Sequence, residues 1–214
     1  MKLYGYFRSS AAYRVRIALN LKNLAHEQAF VHLTRGGGEQ FGEAYRGINP
    51  QQLVPALDIG GDVLIQSLAI VEYLDEVYPE PPLLPKTPAA RAHVRALALA
   101  IACDIHPLNN LRVLNYLTRE LGQSEEAKSG WYRHWVESGL AAVEQMLVRD
   151  GRMGRYCHGD EPGLADICLV PQVFNARRFN CDLSACPNLI AIADRLNGLP
   201  AFVKAQPQNQ PDAE

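Results

Sequence analysis

The sequence contains no apolar run long enough to cross a membrane, so nothing in it asks for a bilayer. Nor does one sign of charge dominate. Its 21 Lys and Arg against 23 Asp and Glu leave a net charge of −2, which withholds the basic footprint that nucleic acid or an anionic membrane surface requires. No N-terminal leader is expected either, since strand-like alternation begins at Leu3 and leaves no room for a cleavable signal before it. Cysteine is sparse and poorly spaced. The five residues Cys103, Cys157, Cys168, Cys181 and Cys186 are odd in number, none before residue 103, with no CxxC pair and no zinc-like spacing. No metal is therefore expected, and reduced structural thiols suit a cytoplasmic protein. What is left is a chain of 214 residues, long enough for one large or two modest domains around a substantial core. Its expected partners are small molecules or protein.

The most informative stretch is LYGYFRSSAAYRVRIAL, Leu3 to Leu19. Leu3, Gly5 and Phe7 alternate with Tyr4 and Tyr6 as in a largely buried strand. From Ala11 the period turns helical, with Val15, Ala18 and Leu19 on one face with Ala11 and Ala12. Ser9 and Ser10 stand where strand hands over to helix. A helix start offers unpaired N–H groups and the positive end of a dipole, so an anion or polarised thiol is stabilised there. A serine at that place also serves as a plain N-cap. On these residues alone both readings stay open.

Further along, HEQAFVHL reads as a second strand, TRGGGE as a flexible loop, and Phe41 to Ile48 as a short helical or irregular segment. A strand around Leu53 to Ile59, a Gly60-Gly61-Asp62 turn and a strand Val63 to Ile65 form a hairpin. A helix from Ser67 to Val77 follows, giving the order β-α-β-α-β-β-α. Five prolines between Tyr78 and Pro88 then make an interdomain linker. Beyond it the period is helical: Ala89 to Leu121, bent by Pro107, then Glu125 to Arg149, Leu164 to Phe179, Asn188 to Asn197 and a last turn near Phe202. The reading divides the chain into an α/β domain (1–80), a linker (81–88), an all-α domain (89–205) and a mobile tail (206–214) with nothing to bury.

This organisation resembles the cytosolic glutathione transferases, whose N-terminal domain is thioredoxin-like and whose C-terminal domain is all-helical. SSAAYRVRIAL at Ser9 to Leu19 is similar to the zeta-class signature Ser-Ser-Cys-x-Trp-Arg-Val-Arg-Ile-Ala-Leu; INPQQLVPAL, IQSLAIVEYLDE and ADICLVPQVFNARRF are similar to other zeta segments. The resemblance runs from Lys2 to about Phe202. It departs at Ala11, where the signature has Cys, at Tyr13, where it commonly has Trp, and at Gly163, where transferases usually carry a capping Ser or Thr. Ala11 puts in doubt side reactions that use the cysteine. Glycine remains an acceptable N-cap, so Gly163 implies a modest stability cost.

The resemblance implies a homodimeric, glutathione-dependent cis–trans isomerase of maleylpyruvate or maleylacetoacetate in aromatic catabolism. A conjugating transferase or peroxidase is the alternative, and a non-catalytic binding module a third reading. The catalytic set would be Ser9, as thiolate donor, with Ser10 next and Arg8 beside them. Glutathione would lie on Gln52, Val54, a cis Pro55, Gln66 and Ser67, with Asp104 toward its amine across the dimer and His106 and Asn110 toward its cysteinyl-glycine end. Arg8, Arg112 and Arg178 would bind the carboxylates of the substrate. His106 has two readings, proton donor or hydrogen-bonded structural residue. Arg14, Arg16 and Arg177 are expected on a solvated or interdomain salt-bridging face. Asp166, three residues beyond Gly163, is assigned to folding.

Overall fold

In the computed structural model, which describes Met1 to Glu214, β1 (Lys2–Gly5) lies inside a four-stranded mixed sheet. Leu3 and Gly5 point inward, and a Cβ at Gly5 would sit only 3.4 Å from Ala12, so the glycine lets α1 (Ser10–Leu21) lie close against the strand. Parallel β2 (Glu27–Phe30) forms one edge. After α2 (Glu43–Ile48) come β3 (Ala56–Asp58) and β4 (Val63–Ile65), both antiparallel, giving the order β2-β1-β3-β4. The helix α3 (Ser67–Val77) packs beside α1, as the thioredoxin-like reading requires. The Val54–Pro55 bond is cis, as expected, and so is Glu80–Pro81.

The chain forms two compact units, Met1–Pro82 with Gly198–Glu214, and Leu83–Asn197. The C-terminal end differs from the periodicity, which predicts a helical domain to residue 205 and a mobile tail at 206–214: residues 198–214 belong to the first unit. The short helix α9 (Pro200–Ala205) packs on α1 with Phe202 and Ala205 fully buried, and Pro207 and Gln210 are buried beyond it. Covered by the sheet, α3 and α9, α1 has almost no solvent face. Arg14 and Arg16, expected on a solvated or interdomain salt-bridging face, are accordingly 2% and 4% exposed inside the first unit. Arg16 donates to three carbonyls, those of Ala205 (3.1 Å), Tyr6 (3.4 Å) and Phe7 (3.0 Å). Arg177 does fit its expectation, exposed and paired with Asp194 at 2.7 Å.

In the second unit the expected helix from Ala89 is broken. It runs as α4 (Pro88–Leu99), widens into π-type turns over Ala100–Ile105, tightens over His106–Asn109, and restarts as α5 (Leu111–Arg119) capped by Asn110. Pro107 lies in the break, where its missing N–H cannot continue the ladder. The long α6 (Glu125–Asp150) starts at a Ser124 cap and stops at left-handed Gly151; its Gly139 makes room for Ile105 of the wide turns. In α7 (Leu164–Arg178), buried Asp166 accepts from the Gly163 N–H at 2.9 Å and the Cys157 N–H at 3.0 Å, the folding role expected of it. Burial raises its pKa against those two hydrogen bonds. In α8 (Pro187–Leu196), Glu144 of α6 caps the first turn through the Asn188 and Leu189 N–H groups.

Candidate active site

Strand register gathers the first unit's site residues at one end of the sheet. Tyr4 pairs with Ala56, and Ala56 with Ile65. The segment that leaves β1, the segment that enters β3 and the segment that leaves β4 therefore all emerge together. They carry Arg8, Ser9 and Ser10, then Gln52, Val54 and Pro55, then Gln66 and Ser67. Below them Phe7 and Val54 share one apolar cluster with Tyr6, Val31 and Tyr45, so the first two segments are packed as one body.

Ser9 is the N-cap of α1, and its Oγ accepts from the Ala12 N–H at 3.2 Å. The plain capping reading is thus what the geometry contains, yet it uses only a lone pair and leaves the hydroxyl proton free to donate outward. Ser10 is buried, at 5% exposure, so Ser9 is the more accessible of the two. Arg8 is exposed, its guanidinium 4.7 Å from the centre of the Phe7 ring. Stacking of this kind engages the face of the group and leaves its N–H edge available to a carboxylate.

At the third segment Ser67 opens α3, with its hydroxyl accepting from the Arg14 Nη1 at 3.3 Å. A guanidinium beneath a helix N-terminus adds full positive charge to the dipole, a setting made for a carboxylate. Sequence reasoning missed Arg14. The signal was available, since a basic residue between Tyr13 and Val15 on an otherwise apolar helix needs a buried partner. Gln52 and Gln66 both take positive φ, 56° and 70°. Neither is an Asn or Gly, for which such angles are easy, and backbone held this way costs about 1–3 kcal/mol. The Gln66 amide is tied to Gln51 at 2.7 Å, and the Leu53 carbonyl to Tyr45 and Asn49, which fixes both segments.

In the second unit Asp104 is exposed in the wide turns, while His106 and Asn110 are half-buried in the break that follows. Asn110 spends its side-chain oxygen on the Arg112 N–H at 3.1 Å. Arg112 is exposed on α5. Arg178, exposed at the end of α7, lies 5.2 Å from the Phe179 ring, which itself stacks on Tyr132 at 3.8 Å. Arg8 and Arg178 are therefore held in the same manner, each over a phenyl ring.

The family model of the glutathione S-transferase N-terminal domain matches residues 3–82. Over 211 residues the chain is 56% identical to the probable maleylacetoacetate isomerase of Vibrio cholerae, covering 99% of this chain and 97% of that protein. The holo structure of maleyl pyruvate isomerase, a bacterial zeta-class glutathione S-transferase, superposes with a TM-score of 0.97 at 48% identity over all of both chains. This chain belongs to the zeta class of the glutathione S-transferases. A third relative, the maleylacetoacetate isomerase of Methylobacterium extorquens, was solved with bound malonate and glutathione; it matches all of both chains at 41% identity with a TM-score of 0.95. Tyr13 is buried in α1, with the Arg16 guanidinium 5.3 Å from its ring centre, and Ala11 is half-buried.

Proposed function

We propose that this chain is a glutathione-dependent cis–trans isomerase that converts a maleyl diketo acid, maleylpyruvate or maleylacetoacetate, to its fumaryl isomer. The observation that carries the reading is Ser9, with an unspent hydroxyl proton at a helix N-terminus, next to an exposed Arg8 whose guanidinium lies over the Phe7 ring. The names of its relatives agree with it.

The residues fit glutathione. Ser67, the first N–H groups of α3 and the Arg14 guanidinium behind them suit the γ-glutamyl carboxylate. The Val54 main chain, beside cis Pro55, is assigned to the cysteinyl part, with Gln52 and Gln66 beside it. Asp104 would take the amine from the partner subunit of a homodimer, and His106 and Asn110 the cysteinyl-glycine end. When bound, glutathione supplies a thiolate that adds to one carbon of the double bond, leaves a single bond free to rotate, and is expelled intact. A free thiol of pKa about 8.5 is mostly protonated at neutral pH, and the Ser9 hydroxyl with the α1 dipole lowers that value. Arg8 and Arg178, with Arg112 as a third, hold the two carboxylates. Conjugation of an apolar electrophile would have no use for these arginines.

The test is Arg8→Met and Arg178→Met, assayed on both cis acids with and without glutathione. Each should cost about 1.5–3 kcal/mol of transition-state binding, a ten- to hundred-fold fall in kcat/KM, while glutathione affinity changes less than about twofold. Full activity in both variants, or turnover that needs no glutathione, overturns the reading. The ratio of the two wild-type rates identifies the preferred acid. A cytoplasmic location belongs to the same proposal.

A further inference from the structure

The catalytic turn between β1 and α1 is held from both sides by charge. The Phe7 N–H donates to the Asp212 Oδ2 at 3.0 Å, a contact spanning 205 residues of sequence. The Phe7 carbonyl accepts from the buried Arg16 guanidinium at 3.0 Å, and the same guanidinium reaches Ala205, at the end of α9. A single residue is thus clamped between an anion delivered by the C-terminal segment and a cation delivered by α1. It is also the residue whose ring carries Arg8, at 4.7 Å. Beyond Asp212 the segment is anchored again, where the Glu214 carboxylate meets His32 at 3.1 Å and Arg35 at 2.8 Å.

We propose that Asp212 is a positioning residue for the isomerase: by fixing the Phe7 peptide against Arg16 it holds the phenyl ring, and through the ring the Arg8 guanidinium, in the pose that receives a substrate carboxylate. This rests on Arg8 being a carboxylate clamp. Burial pushes the Arg16 guanidinium down to about 10, with Tyr13 and Asp212 acting against that fall, so it keeps its charge at neutral pH and the clamp stays closed there. Asp212 touches no reacting atom in this account and acts only through Phe7.

Three variants separate this role from a general one in docking the tail. Asp212→Ala removes the acceptor. Asp212→Asn keeps an acceptor oxygen and removes the charge. Glu214→Ala loosens the tail at His32 and Arg35 and leaves Asp212 in place. Amide hydrogen exchange at Phe7, followed by NMR in the ligand-free protein, should accelerate at least tenfold in Asp212→Ala and stay within threefold of wild type in Asp212→Asn. In turnover of the diacid, Asp212→Ala should lower kcat/KM about five- to ten-fold with glutathione affinity unchanged. Asp212→Asn should restore most of that, and Glu214→Ala should change it less than twofold.

The deciding measurement is the double variant: in an Arg8→Met background Asp212→Ala should cost little more, because its effect travels through Arg8. Additive losses overturn the proposal, as do equal losses in Asp212→Asn and Asp212→Ala, or equal losses in Asp212→Ala and Glu214→Ala. If Asp212→Ala does not fold, the cycle is run with Asp212→Ser on the same criterion. Failure of the underlying reading looks different: Arg8→Met alone would then be fully active, whatever Asp212 does.

Discussion

The Ser9 hydroxyl has two lone pairs and one proton, and the Ala12 N–H takes up a lone pair at 3.2 Å. Helix capping and the proposed thiolate stabilisation therefore draw on different parts of one group, and Ser9→Ala removes both. Loss of the cap should cost about 1 kcal/mol of stability, while the pH at which bound glutathione ionises should rise, read by ultraviolet titration of the thiolate. An unchanged titration would hand the role to the backbone N–H groups alone. Arg14 and Arg16, two positions apart on the same helix, should part in the opposite way. Arg16→Met orphans buried carbonyls and should lower unfolding free energy by roughly 3 kcal/mol in urea, the upper end for a lost buried partner. Arg14→Met should raise the glutathione dissociation constant about tenfold, because the charge beneath Ser67 is the one removed. The burial of both arginines was hidden in the sequence for one reason. The helix looks half-exposed until α9, encoded almost two hundred residues later, is laid over it.

Among the elements, those bounded by local chemistry were legible. Ser9 and Ser124 cap helices that begin where the periodicity begins, and the Gly60-Gly61-Asp62 hairpin and the helix from Ser67 lie where turn residues put them. The break in the first helix of the second unit was legible only as a bend. Ile101 and Ile105 keep an apolar spacing of four through the wide turns, so the period does not reveal that the hydrogen-bond ladder has changed. Gly163 shows how far a local rule can mislead. By capping chemistry alone, Ser would be the better residue there, but a Cβ at this place would stand 2.8 Å from the Leu83 carbonyl oxygen, a backbone atom paired with the Leu164 N–H. Gly163→Ser should therefore lower the melting temperature, although it restores the residue usual in other transferases. A rise in melting temperature would mean the Leu83 segment gives way easily.

For the molecule as a whole, the family match ends at residue 82, whereas the first structural unit also needs Gly198–Glu214. A fragment of residues 1–82 would expose the face of α1 that Phe202 and Ala205 cover and would leave Arg16 and Asn20 without the Ala205 and Ala201 carbonyls. Such a fragment should give a poorly dispersed amide spectrum, and a peptide of residues 198–214 added in excess should sharpen it. A well-folded fragment without the peptide would show that α9 decorates the unit and does not complete it. Light scattering should give about twice the chain mass of 23.7 kDa, the homodimer in which Asp104 is proposed to serve the neighbouring glutathione; a fully active monomer would remove that role.

The discontinuity of the first unit also sets a schedule for synthesis. On the ribosome the sheet and α1 emerge first, and Leu83–Asn197 must be translated before the segment that closes over them. At about 5–20 residues per second that interval is on the order of ten seconds. Throughout it a nascent chain presents an apolar helix face and an unclamped β1–α1 turn, a natural substrate for chaperones. A messenger truncated near its end would yield chains that contain every residue of the β1–α1 turn and cannot finish building it.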